Sequence, residues 1–327
     1  MDRQSPPVNE LTIKQELLQY LEAALSSYIL DTQYLTDCKS YIPLQLSKQQ
    51  LSQQQRIVYS CAIAFKLSTF AKLPAVAIAN SISHLICQHS HQQNLILQVV
   101  DPGWIYIELT SPSLAAWLQH WIETLPSLRS QELGIGKQKA EGAEGEKPLA
   151  SRRLPLPTDH APLKYQLPIT HSLFPIQYAH ARCCSLLHMA HREKIITITS
   201  RNSDISRNGD INSPCLEVIS PQPLPWLSEA KIYLNRPSEL NLLIELIGVL
   251  DDLYCPDPTR QSLNWLKVAL NLSQAFQTFY SQCRIWGEVK SQNRNLAQAR
   301  LGLVAIAQSV FRILLVEILD SFAPPEL

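Results

Sequence analysis

The chain predicts an α+β N-terminal module followed by an all-α C-terminal helical bundle, on three observations. Two pieces with alternating apolar residues, Leu95 to Val100 and Trp104 to Leu109, flank an Asp101-Pro102-Gly103 turn and lie between amphipathic stretches. From Pro237 onward apolar residues recur at i, i+3, i+4 and i+7 over roughly 237–252, 259–286 and 295–320. Between the two halves, residues 128–167 are rich in Gly, Pro, Lys and Glu and lose apolar periodicity, as a flexible linker does.

In chain order, Leu11, Leu17, Leu18, Leu21, Leu25 and Ile29 mark an opening amphipathic helix. A second helix is expected from Gln49 to Phe70, and a third begins at Pro74, because proline suits the first helical turn. The hairpin about Asp101-Pro102-Gly103 follows, and Ser113 is the expected cap of the helix LAAWLQHWIETL. These elements make one α+β module over 1–127. The second unit, 168–327, opens with a short helix at FPIQYAHARCCSLLHMAH and a strand-like KIITITS. A polar insertion near 201–214, expected to be a surface loop, precedes the three long helical stretches.

Composition narrows the function classes. The chain has 327 residues, 46% of them hydrophobic and 17% charged, which is the make-up of a folded chain of about two domains. With 28 basic against 28 acidic residues it has no bulk field to hold a polyanion, so any such binding needs a local patch. One is present: between Thr259 and Val316 stand Arg260, Lys267, Arg284, Lys290, Arg294, Arg300 and Arg312 against the single acid Glu288, a local excess of +6. The 8 cysteines are scattered without a CxxC pair, as expected for reduced, partly buried thiols, and Cys183 and Cys184 read as packing residues. His188 and His191 lack a third ligand, so no metal is expected, and no Gly-rich phosphate loop or other cofactor signature occurs. The opening MDRQSPPVNE has no apolar stretch of the signal-peptide kind. The expectation is a soluble, cytoplasmic protein without membrane contact.

Several motifs carry a resemblance. NLSQAFQTFYSQCRIW, 271–286, and RLGLVAIAQSVFRILLVEILDSFAPPEL, 300–327, closely resemble the DALR anticodon-binding domain of arginyl-tRNA synthetases, through Ala275-Phe276, Phe279-Tyr280, Cys283-Arg284, Arg300-Leu301, Leu303-Val304 and Ala323-Pro324. RPSELNLLIELIGVL and QYAHARCCSLL, 177–187, resemble the helices that precede that pattern in the family. VVDPGWIYIELTSPSLAAWL, 99–118, and the stretch from Ile57 to Ile82 are similar to the additional N-terminal domain of the same family, which packs on the tRNA elbow. The family's Asp-Tyr-Ala-Thr-Asn reads Val58-Tyr59-Ser60-Cys61-Ala62 here, so Ala62 stands where the family has its elbow-reading Asn.

The resemblance implies tRNA, arginine-accepting in the family, as a ligand, and it implies contact residues. Arg182 and His180 are expected on the inside of the tRNA L-shape, with Lys267, Arg284, Arg300 and Arg312 on phosphates. Tyr280, with Phe276 beside it, is expected to stack on an unpaired anticodon base. The matched parts leave only the linker where the family has its catalytic domain, and neither a HIGH-type nor a KMSKS-type motif occurs. Those motifs hold the ATP phosphates, so no aminoacylation is expected. The reading is a non-catalytic tRNA-binding protein derived from an arginyl-tRNA synthetase. A tRNA-modifying enzyme that receives the tRNA is a partner of this reading. Two others stand beside it: a protein-interaction scaffold that reuses the folds without RNA, and an accessory subunit completing a separately encoded catalytic chain in trans.

Overall fold

A computed structural model describes residues 12–29, 41–47, 56–89, 94–127, 170–201, 215–260 and 262–326. Helix α1, Ile13–Tyr28, starts at Thr12, whose hydroxyl accepts from the Gln15 N–H while the Gln15 side chain accepts from the Thr12 N–H. This reciprocal cap satisfies two donors that a helix start leaves open. Strands β1, Leu44–Leu46, and β2, Val58–Cys61, come next, followed by α2, Ile63–Ala71, and α3, Ala75–His89. Over the described part of the helix expected from 49 to 70, residues 56–70, the chain forms a strand and the start of a shorter helix. Val58 and Tyr59 are β-favouring residues, and β2 takes a central place in the sheet that an isolated periodicity does not reveal.

Strands β3, Leu95–Val100, and β4, Trp104–Leu109, form the expected hairpin, completing an antiparallel sheet of order β1-β2-β4-β3. Gly103 closes its turn against α3, where an added Cβ would lie 2.7 Å from that of Ala75. Helix α4, Ser111–Thr124, is capped not by Ser113 but by Thr110, whose side chain accepts from the Ser113 N–H. Ser113 is buried one turn inside.

The second unit begins with α5, Thr170–Arg192, and is not all-helical: β5, Thr197–Arg201, pairs with β6, Cys215–Ser220, and β7, Leu227–Ser228, with β8, Lys231–Ile232. Four helices follow: α6, Pro237–Tyr254, α7, Trp265–Gln282, the short α8, Glu288–Gln292, and α9, Arg294–Ile313, which runs into a wider π turn over Leu314–Ile318. Helix α9 is the axis of the bundle, buried from Ala297 through Leu315. By length and hydropathy it would also suit a bilayer, but 83% of its apolar window is covered by the bundle itself. The expected linker, 128–167, and the polar insertion beyond Arg201 lie outside the described residues.

The two units are not separate bodies on a tether. Their buried side chains form one continuous apolar cluster, from Leu17, Ile82 and Trp121 through to Leu250, Phe276 and Phe311. The first turn of α1 meets the last turn of α6. Lys14 Nζ donates to the Cys255 carbonyl at 3.0 Å, Gln15 Nε2 to that of Tyr254 at 3.1 Å, and Tyr59 Oη to the Asp251 carboxylate at 2.7 Å. A helix start facing a helix end also brings opposite partial charges together. Across the other side, Gln119 Oε1 of α4 accepts from the Leu224 N–H and the Trp226 indole N–H, both at 3.0 Å. Burial raises the Asp251 carboxyl from its ordinary value to about 7, with the Tyr59 hydrogen bond and Lys14 working against that rise.

Candidate nucleic-acid interface

The sequence-derived contact residues divide sharply by burial. Phe276 and Phe279 are buried, with Phe276 meeting the Phe311 ring edge-on at 6.0 Å; Tyr280, 38% exposed, keeps its ring at the surface. Arg300 is 1% exposed. Its Nε donates to Glu239 Oε1 at 2.6 Å and its Nη1 to the Arg284 carbonyl, so it fastens α9 to α6 and to the end of α7. Arg312 is 6% exposed on the inward side of α9. Neither arginine is placed to pair a phosphate, because both are buried within the bundle.

His180 is likewise interior. Its Nδ1 lies 2.8 Å from the Pro324 carbonyl and its Nε2 3.1 Å from Gln308 Nε2, an arrangement that fits a neutral ring donating from Nδ1 and accepting at Nε2. Burial lowers its pKa to about 4, with Arg312 also lowering it and the Pro324 bond opposing. Together with the bond from Gln177 Nε2 to the Phe322 carbonyl, at 3.0 Å, this ring pins the tail of the chain onto α5. Its role is anchoring, and it has no surface left for RNA.

Arg182, Tyr280, Arg284 and Lys267 remain. Arg182 of α5 and Tyr280 of α7 come together: the guanidinium carbon lies 4.6 Å from the ring centroid, and Nη2 donates to the phenol oxygen. The Phe276 ring lies near-parallel to that of Tyr280, with centroids 6.5 Å apart, so the core supports the tyrosine. Arg284 is exposed just beyond the end of α7. Lys267 is exposed too, but 13 residues before Tyr280 on the same helix, roughly 20 Å away at the helical rise.

The sequence reading missed two neighbours. Phe174 is 56% exposed and Tyr178 42% exposed, and their rings stack at 6.2 Å. Phe174, Tyr178 and Arg182 fall at i, i+4 and i+8 on α5, one face of the helix. His188 and Arg192 are exposed further along it. The spacing was present in the sequence, but an amphipathic helix uses the same spacing for its buried face. Only the packing of α9 against the opposite side of α5 decides which way these rings point.

The +6 cluster is not one patch. Apart from the two buried arginines, Arg260 pairs with Asp252 at 3.3 Å and Lys290 with Glu193 at 2.7 Å, while Arg294 donates to the Lys194 carbonyl. Exposed pairs of this kind contribute little to stability, yet they reduce the free charge available to an anion. Trp104, at the start of β4, is 36% exposed and meets Phe65 edge-on at 5.4 Å. Of the cysteines, Cys61, Cys183, Cys184 and Cys283 are buried, Cys255 is half-buried and Cys87 is exposed. Burial pushes the Cys61 thiol up to about 12. His191 Nδ1 accepts from the Ile198 N–H, and no group of three metal-ligating side chains occurs among the described residues.

Comparison with known proteins shows a distant likeness. Over 149 residues, 46% of this chain, the sequence is 28% identical to an arginine–tRNA ligase of Synechococcus sp. (strain JA-3-3Ab). The match spans 21% of that protein, so the chain aligns with about a fifth of the ligase's length. No family model matches the chain, and no solved structure matches it.

Proposed function

We propose that this chain is a non-catalytic RNA-binding protein related to arginyl-tRNA synthetases, and that it holds the anticodon arm of a tRNA against α5 and the end of α7. The observation that carries the reading is the row of exposed Phe174 and Tyr178 and half-buried Arg182, completed by Tyr280 and Arg284. Stacked aromatic rings beside guanidinium groups are what unpaired bases and their phosphates require. The resemblance at 177–187 and 271–286, and the likeness to an arginine–tRNA ligase, point to tRNA as the RNA. Recognition rests on stacking and a few local cations, because the neutral chain supplies no broad field. The chemistry of adenylate formation has no place in this reading, since no motif for holding ATP phosphates occurs in the sequence.

The test is tRNA binding by the full chain across a salt series. Tyr178→Ala combined with Arg182→Glu is expected to weaken binding of an anticodon stem-loop more than tenfold, and Arg284→Glu to flatten the salt dependence. Lys267→Glu, at the far end of α7, is the control. Equal affinity in wild type and the Tyr178/Arg182 variant refutes the site. Formation of aminoacyl-tRNA from ATP, arginine and tRNA by the purified chain refutes the non-catalytic reading. A second reading, a protein scaffold without RNA affinity, is favoured by one observation: the fold consumes or pairs five of the seven cations between Thr259 and Val316. It predicts no retention of tRNA even at low salt.

A further inference from the structure

Between Lys72 and Asp101 the sequence contains no Asp, Glu, Lys or Arg. At the chain's 17% charged content, a stretch of 28 residues carries about five such residues on average. The stretch is not buried throughout. It comprises α3, which packs on β3, and β3 itself, the edge strand of the four-stranded sheet. Leu73 is 51% exposed and Ile96 50% exposed, and Asn80, His84 and Gln98 are exposed as well. Folded proteins normally guard an open strand edge with lysine, proline or a bulge. Here β3 has none of these, and its register with β4 runs unbroken from Leu95↔Leu109 to Val100↔Trp104.

The backbone of that edge is fully specified. The Thr110 N–H bonds to the Asn94 carbonyl and the Leu109 N–H to that of Ile57, so even-numbered residues of β3 face β4 and odd-numbered residues of β4 face β2. Leu95, Leu97 and Val99 therefore direct their N–H and C=O groups to the open side, and among the described residues nothing pairs with them. Absence of charge on both the strand and the flanking helix is the surface composition of the centre of a protein interface rather than of a solvated face.

We propose that this edge pairs with the same edge of a second copy of the chain, about a two-fold axis through Leu97. That axis sets Leu97 opposite its own copy and Leu95 opposite the other copy's Val99. All three outward residues then fall in hydrogen-bonded pairs, giving about six interchain bonds at two per pair. Ile96 of one copy stands across from Gln98 of the other, so nothing in the pairing sets like charges together. The two sheets become one of eight strands with the uncharged α3 helices side by side over its centre. A two-fold contact uses one patch twice, and an uncharged strand is self-complementary in a way that an edge carrying one sign of charge is not. The proposal is independent of any RNA-binding function.

The experiment is sedimentation velocity on the full chain over a hundredfold concentration series. The expected result is a concentration-dependent species of twice the 36.9 kDa chain mass. Ile96→Lys combined with Gln98→Lys, which places lysines opposite lysines, is expected to weaken dimerisation at least tenfold. Ile96→Glu combined with Gln98→Lys, which places opposite charges in register, is expected to restore it. Both positions are exposed, so unchanged circular dichroism melts will show that the monomer fold is intact. A monomer at every concentration overturns the proposal, as does a dimer that tolerates the paired lysines.

Discussion

Arg300 lies within the motif that gives the C-terminal half its resemblance to a tRNA-binding domain, and its burial turns it into a test of whether that motif specifies a contact or a fold. Glu239 is 0% exposed and Arg300 1% exposed; Nε and Oε1 are 2.6 Å apart, and Glu239 Oε2 accepts from the Arg236 N–H at 2.9 Å. Removing one member of a buried ion pair leaves the other charge unsolvated, which typically costs about 3–5 kcal/mol. Glu239→Ala also strands the Arg236 N–H at the start of α6, an additional loss of about 1 kcal/mol. For a domain-sized unit of this length the sum corresponds to a fall in Tm of roughly 8–24 °C. Glu239→Gln with Arg300→Met keeps the acceptor for Arg236 and removes both charges, and is expected to recover most of that loss because paired replacement of a buried ion pair is often near neutral. The assay is thermal unfolding by circular dichroism, with RNA affinity measured well below the melt. A Tm within one degree of wild type for Arg300→Met, together with lost RNA binding, refutes the argument and returns Arg300 to the contact surface.

The junction of the two units is expected to respond to pH through Asp251. Its folded value of about 7 lies above the ordinary 3.8, so folding takes up a proton between those values, and this contribution declines as pH rises from about 4 through 7. Asp251→Asn, which keeps the Tyr59 bond and cannot ionise, is expected to gain Tm over wild type progressively across that window; a constant difference refutes it. His180 acts in the opposite sense. Its pKa, lowered from 6.5 to about 4, removes stability as pH falls through that range, and His180→Gln is expected to flatten the acid limb measured by the same melts. Gly302→Ala drives a methyl into the Trp226 ring and to 2.7 Å from the Leu224 side chain, and overpacking of this kind costs about 1–3 kcal/mol. A urea midpoint equal to wild type would show that the Leu224–Trp226 segment is free to move off α9.

The elements legible in the sequence were those whose signal is local. The Asp101-Pro102-Gly103 hairpin, the helix opened by Pro74 and the three long C-terminal helices all follow from turn chemistry or from periodicity over many residues. The strand at Val58–Cys61 was hidden, because four residues give no period and the flanking helix continues the same apolar spacing. The β5–β6 ribbon was half hidden, since the strand-like Thr197–Arg201 needs a partner on the far side of a polar insertion. The union of the two units was invisible for a further reason. Gln119, Lys14 and Tyr59 are ordinary surface-type residues until Trp226, Cys255 and Asp251 come to meet them from more than a hundred positions away.

The candidate site shows the same limit in its electrostatics. Seven cations in a row of sequence read as a patch, but sequence counts charge without counting what the fold does with it. Arg300 and Arg312 belong to the axis of the bundle, and Arg260, Lys290 and Arg294 are tied to oxygens of Asp252, Glu193 and Lys194. The signal that survives lies elsewhere, in three residues of α5 whose spacing alone does not mark a surface, because aromatic side chains at i and i+4 usually face inward. Exposed rings are costly to leave in water and are retained where something covers them. An exposed Phe174–Tyr178 stack beside an arginine lying over Tyr280 is therefore stronger ground for a binding surface than the charge count of this half of the chain.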